Sequence, residues 1–293
     1  MLTGARRSRQ IRLTLEPKAP SGFSRKAAAV SSSRFIVDIH HIDSTFLRAR
    51  RRITVMRPRF RDRDAPQEPP AVLYLNDGQN LFDPARAFAG NTWRVAETVN
   101  WLAAERRIPP ILVVGIDHGE VRRAREYLPV EDERNPSARR PLGRQYVDFV
   151  TREVVPFVER TYRVSRRTSG RAFGGSSYGA VAALLAVLER PGTFGRLLLE
   201  SPSLYVGNRL LLRKARRAPR WPARVYLGVG TAETAKADVN RETVENVRVL
   251  ESILQDAGLG SKRLQVVVQE GATHSEGAWA GRLGNALTFL FGR

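Results

Sequence analysis

The chain has 293 residues, of which 42% are hydrophobic, with a formal net charge of +20 and no cysteine. The missing cysteine excludes disulfides and thiolate metal ligands, and no stretch approaches the ~20 uninterrupted apolar residues of a membrane span. Length and apolar content suffice for one large core without a second full domain, so the expectation is a soluble protein whose positive charge favours encounter with anionic partners.

Residues 1–33 are rich in Arg, Lys, Ser and Ala, with apolar positions too sparse to cover a core. They read as a flexible basic arm ahead of a single domain over 34–293. Arg6-Arg7 begins like a twin-arginine export signal but lacks the continuous apolar region that follows one, so the expected location is cytoplasmic. The arm's Arg/Ser bias also has the composition of an organelle transit peptide.

From Phe35 two β-rich runs, 35–42 and 46–56, flank a polar Asp43-Ser44-Thr45 turn and predict an antiparallel pair. A charged, proline-bounded loop over 57–70 leads to a short apolar strand over 71–76 and then to Asp77-Gly78-Gln79-Asn80. A helix is predicted from Asn91 or Thr92, as N-cap, to about Arg106, with Pro109-Pro110 beyond its end. Residues 111–116 form a buried strand ending at Asp117-His118-Gly119, and the arginine-rich segment to Pro141 lacks periodicity and reads as a loop that walls a cleft.

Apolar residues at helical spacing predict an amphipathic helix over 143–162. A short buried strand, a turn containing Gly175-Ser176-Ser177-Tyr178-Gly179 and an apolar helix to Leu188 follow. Further strands are read at 196–201, 223–230 and 264–270, with helices at about 241–257 and 275–290, the last turning Trp279, Leu283, Leu287 and Phe289 towards the sheet. Strands alternating with helices imply a mainly parallel sheet covered on both faces.

The strand, turn and helix around Ser177 have the layout of a nucleophile elbow, G-x-S-x-G, in which glycines let strand and helix pack closely and the serine takes a strained conformation. A serine hydroxyl needs a base, and the base needs a carboxylate, in the chain order nucleophile, acid, histidine. His274 is the only histidine after Ser177, and it sits between a strand's carboxyl end and the last helix. For the acid, Glu233 lies close to the end of the strand at 223–230, with Asp238 as its competitor. The backbone N–H groups of Tyr178 and Gln79 are the candidate oxyanion donors. Asp77, His118, Arg122 and Arg125, at strand ends or in the loop after them, are candidate substrate contacts.

On these residues the chain resembles the putative esterase (esterase D-like) family of α/β-hydrolases, which includes enterochelin-type siderophore esterases, feruloyl and acetyl-xylan esterases and mycolyltransferases. The resemblance runs from about Phe35 to the C-terminus and is carried, beyond the elbow, by Leu73 to Phe82, Pro110 to Asp117, Arg125-Glu126-Tyr127, Glu200-Ser201-Pro202-Ser203, Gly230-Thr231-Ala232-Glu233 and His274-Ser275-Glu276-Gly277-Ala278-Trp279. It implies an α/β-hydrolase fold with antiparallel N-terminal strands, Ser177 as nucleophile, His274 as base, Glu233 as acid and oxyanion donation near Gln79. The expected function is a serine esterase without metal or cofactor, acting on a small ester of anionic, siderophore or carbohydrate type. The same site admits an acyltransferase, which differs only in the acceptor. The alternative of another class is a hydrolase-fold protein that binds nucleic acid or another polyanion through its basic surface; the arginine clusters lack the interleaved aromatics that stack bases.

Overall fold

The structure, a computed structural model, describes residues 9–10, 35–59 and 67–292. The rest of the expected arm at 1–33, and the middle of the charged loop at 57–70, lie outside the described residues. Among the described residues nine strands form one sheet: β1 Arg9–Gln10, β2 Phe35–Ser44, β3 Ala49–Pro58, β4 Ala71–Asn76, β5 Ile111–Ile116, β6 Arg171–Ser176, β7 Arg196–Glu200, β8 Arg224–Gly230 and β9 Leu264–Gln269. Their order is β1-β2-β3-β5-β4-β6-β7-β8-β9. The pairings from β1 through β5 are antiparallel, and those from β5 to β9 are parallel. Within the segment read as an arm, Arg9 and Gln10 therefore pair with Ile39 and Asp38 of the sheet edge.

Helices cover both faces, and strand alternation divides the core in two. On β4, Val72 and Tyr74 join one cluster and Leu73 and Leu75 the other. The first cluster takes in α3 Gly143–Asp148, α4 Val155–Thr161, α5 Tyr178–Glu189, α6 Val206–Ala215 and α7 Ala237–Asp256; the second takes in α1 Val95–Ala104 and α8 Glu276–Phe291. On α8, Trp279, Leu283 and Leu287 are buried and Phe289 is partly buried against the same cluster. Among the described residues no helix is long and apolar enough to cross a membrane.

Several boundaries differ from the sequence reading for local reasons. Helix α1 starts at Val95, not after Asn91 or Thr92, because residues 91–94 seat the buried Trp93, whose N–H donates to Asn80 O at 2.9 Å. The single helix expected over 143–162 is divided by a π-type turn over Phe149–Val154, just before Pro156, which lacks the N–H that a regular α-helix requires. The loop after β5 contains a short helix, α2 Arg123–Tyr127. Helix α6 lies in a stretch without helical pattern; its first turn holds Gly207, Asn208 and Arg209 at positive φ.

β4 lies between β5 and β6, so successive connections leave it in opposite directions. At such a switch point the loops beyond the strands' carboxyl ends part and leave a crevice. Gln79 follows β4, Ser177 follows β6, Glu233 follows β8 and His274 follows β9.

Candidate active site

Ser177 links β6 to α5 with φ 56° and ψ −126°, a conformation that L-residues other than glycine rarely adopt. Its N–H donates to Glu200 O at 2.9 Å, tying the turn to the end of β7. The flanking glycines are required by close approach. A Cβ on Gly175 would lie 2.9 Å from the Gly179 carbonyl carbon and 3.0 Å from Asn76 Cβ, and one on Gly179 would lie 2.8 Å from Asp77 Oδ2. The elbow therefore presses directly on the loop after β4. Asn76 Nδ2 donates to Gly179 O at 2.7 Å, and Tyr146 OH fixes the same amide by donating to Asn76 Oδ1 at 2.6 Å.

Glu233 is buried beyond β8. Its Oε1 accepts from Gly230 N at 2.6 Å and from Ser201 Oγ at 2.7 Å, while its Oε2 meets His274 Nδ1 at 2.5 Å. Burial alone would raise the Glu233 carboxyl pKa, but the hydrogen bonds from His274 and Ser201, the nearby imidazole and the Gly230 N–H together hold it below its usual value. A carboxylate only accepts, so Nδ1 carries the proton and Nε2 of the neutral ring is free to accept one. Asp238, the competitor for this position, is exposed in the first turn of α7, which begins at Ala237, earlier than the sequence pattern indicates.

The His274 ring stands edge-on to Trp279, with centroids 5.1 Å apart at 84°, and Trp279 Nε1 donates to Ser201 Oγ at 2.9 Å. Beneath them Arg282 grips the buried Glu200 through two bonds to Oε2, at 2.9 and 2.7 Å. Burial pushes the Glu200 carboxyl up to about 7 against the pull of Arg282.

Tyr178 is the first residue of α5, so its N–H has no partner within the helix. Gln79 occupies a short turn over Gly78–Asn80, entered through Asp77 in a left-handed conformation, and its side-chain Oε1 accepts from His118 N at 3.1 Å. His118 Nδ1 accepts from Glu120 N at 2.9 Å, which leaves the proton of the neutral ring on Nε2. Burial lowers the His118 pKa against the pull of Asp77.

Of the expected arginines, Arg122 donates to Leu47 O at 3.0 Å and pairs with Glu126, and Arg125 donates to Arg140 O at 2.7 Å. Neither reaches the loop after β4. The arginine that does is Arg123, bonded to both carboxylate oxygens of Asp77 at 2.7 and 2.8 Å and lying over the Tyr127 and Tyr178 rings. Each residue of a helix is rotated by about 100° from the one before it, so Arg125 lies about 200° round from Arg123, and no sequence pattern selected Arg123.

Other neighbours also escaped the sequence reading. Tyr178 and Tyr205 both donate to the buried Asp132 Oδ2, at 2.6 and 2.9 Å, and Arg134 lies over the Tyr205 ring. Ser203 Oγ is 3.5 Å from Ser177 Oγ. Asn80 Nδ2 donates to Glu276 at 3.1 Å, joining the loop after β4 to the start of α8. Ser201, Ser203, Glu276 and Trp279 all fall inside family-like motifs, which was the one available signal. Asp132 and Tyr205 had none.

Comparison with known proteins adds a family to this geometry. A Bacillus subtilis protein, the uncharacterized protein YbbA, is 24% identical over 233 residues, covering 76% of this chain and 86% of YbbA. The fold matches a ferulic acid esterase at a TM-score of 0.67 and 18% identity, covering 89% of this chain and 99% of that one. It also matches the enterobactin esterase FES from Shigella flexneri, in the presence of enterobactin, at a TM-score of 0.68 and 21% identity, over 88% of this chain and 59% of that one. The family model described as "Putative esterase" matches residues 44–290, most of the chain, and the protein belongs to that esterase family.

Proposed function

We propose that the crevice hydrolyses a carboxylic ester through an acyl-enzyme on Ser177. His274 Nε2 takes the Ser177 hydroxyl proton as Oγ bonds to the ester carbonyl carbon, and the same proton passes to the departing alcohol. Water then gives a proton to His274, attacks the acyl carbon and frees the acid together with the serine. Glu233 fixes the imidazole tautomer and stabilises its positive form. The N–H groups of Tyr178 and Gln79 receive the oxyanion.

The observation that carries this reading is the Glu233 to His274 bond of 2.5 Å, beyond the carboxyl ends of the same parallel strands that lead to a serine in a strained turn. Membership of an esterase family supports it. For the substrate, the enterobactin and ferulic acid esterases that share the fold favour an acyl group bearing hydroxyl or anionic substituents; Arg123 and Arg134 bring positive charge near the elbow, and the neutral His118 ring has a donor on Nε2.

A fluorophosphonate probe with peptide mapping, alongside turnover of a short-chain p-nitrophenyl ester series, tests the mechanism. Labelling of Ser177, absent in Ser177→Ala, is the expected result. A folded wild-type protein that neither labels nor turns over any ester would overturn it.

A further inference from the structure

We infer that Ser201 is a positioning residue that fixes Glu233, and through it His274, while Trp279 sets the direction of the Ser201 hydroxyl. The inference rests on the triad proposed above. Ser201 is 1% exposed and holds φ at 44°, which a non-glycine residue keeps only when its surroundings determine it. Its N–H donates to Gly228 O at 2.7 Å, which locks the backbone between β7 and β8.

The hydrogen-bond directions follow from chemistry. An indole N–H can only donate, so Ser201 Oγ accepts from Trp279 Nε1 at 2.9 Å. The single hydroxyl proton then goes to Glu233 Oε1 at 2.7 Å. With Gly230 N on Oε1 as well and His274 on Oε2, three donors fix the carboxylate plane. Trp279 acts twice, because its ring also stands edge-on to the His274 imidazole. One side chain of α8 thus restrains the histidine directly and the carboxylate through Ser201.

Three variants of the full chain test this: Ser201→Ala, Ser201→Gly and Trp279→Phe. Two measurements are made, kcat and KM on a p-nitrophenyl ester and the downfield proton resonance of His274 Nδ1–H. Loss of the hydroxyl is expected to lower kcat by about 10- to 100-fold with KM unchanged, the scale of a displaced catalytic group. Ser201→Gly relaxes the positive φ, so a kcat loss there that matches Ser201→Ala separates positioning from backbone strain. Trp279→Phe keeps a ring but loses the donor, and is expected to lose less. In all three the Nδ1–H resonance moves.

An unchanged kcat in both Ser201 variants, or an Nδ1–H resonance that stays in place, overturns the inference. Failure of the esterase reading itself would show differently, as a wild-type protein inert to the fluorophosphonate, while the resonance still reports on the Ser201 to Glu233 link.

Discussion

Glu233 Oε2 and His274 Nδ1 lie 2.5 Å apart although the two residues belong to loops after different strands, β8 and β9. Replacing the acid by Glu233→Gln keeps the shape but removes the charge and one acceptor. With Ser201 and Gly230 already on one oxygen, the amide nitrogen then faces His274 and favours the wrong tautomer. The expected result is a fall in kcat of about 10⁴-fold, the effect of turning a triad carboxylate into an amide. Stability should change with a defined sign. The folded Glu233 pKa lies below its ordinary 4.5, so its contribution is fully present above that value and is lost as pH falls through the folded pKa. The melting difference between wild type and Glu233→Gln should therefore be constant near neutrality and shrink below about pH 4.5. A gap that widens in acid would contradict the assignment.

Ser177 holds φ 56° and ψ −126° without a Cβ-free backbone. Strain of this kind costs about 1 to 3 kcal/mol. Ser177→Gly relieves it, so this variant should melt about 2 °C or more above wild type while losing all turnover and all fluorophosphonate labelling. Thermal melts and probe labelling on one preparation decide the point. A variant that melts lower than wild type would show that the serine side chain is itself held by packing.

The parts of this molecule that were legible in its sequence are those set by periodicity or by a glycine requirement. The parallel strands showed as short apolar runs, and Gly175 and Gly179 marked the elbow because only glycine fits there. His274 and Glu233 could be singled out as candidates because chain order and strand ends restrict the choice, and the structure brings the two into contact. Arg123 could not be distinguished from Arg122 and Arg125, since which face of a short helix meets Asp77 depends on packing that leaves no pattern in an arginine-rich stretch. The bond from Trp279 to Ser201 crosses 78 residues. The motifs containing both were visible, but the contact between them exists only once α8 has packed on β7 and β8. Helix α6 was missed because its first turn is left-handed and carries no capping signal.

Gly179→Ala tests the close contact of elbow and neighbouring loop. The new Cβ would lie 2.8 Å from Asp77 Oδ2 and 3.2 Å from Asn76 Cβ, and neither can retreat, because Asp77 is bonded twice to Arg123 and Asn76 is held by Tyr146. Overpacking of a fixed site costs about 1 to 3 kcal/mol. Urea denaturation should show that loss, and kcat should fall with it because Gln79 is two residues from Asp77. The same substitution at Gly281, exposed inside α8 where a Cβ would meet nothing within 4 Å, should leave kcat unchanged and raise stability by about 0.5 to 1 kcal/mol, the helical preference for Ala over Gly.

Arg123→Leu separates the arginine that holds the site from its neighbours. The Asp77 side chain is 5% exposed, and both its oxygens are bonded to Arg123. Removing the guanidinium leaves a buried carboxylate without its counter-charge, a loss of about 3 kcal/mol or more. Asp77→Asn in the same chain removes that charge, so the double variant should recover much of the loss, giving a coupling above about 1 kcal/mol in a double-mutant cycle. Arg125→Ala, whose side chain donates to the Arg140 carbonyl at an exposed site, should stay within about 0.5 kcal/mol of wild type. Denaturation in urea of wild type, Arg123→Leu, Asp77→Asn, the double variant and Arg125→Ala, five proteins, reads all three expectations together. If Arg123→Leu is as mild as Arg125→Ala, the Asp77 carboxylate is satisfied by other groups and the loop carrying Gln79 does not depend on Arg123. If it is severe and the double variant recovers, the loss comes from the buried Asp77 carboxylate left without its counter-charge, and Arg123 is the group that neutralises it.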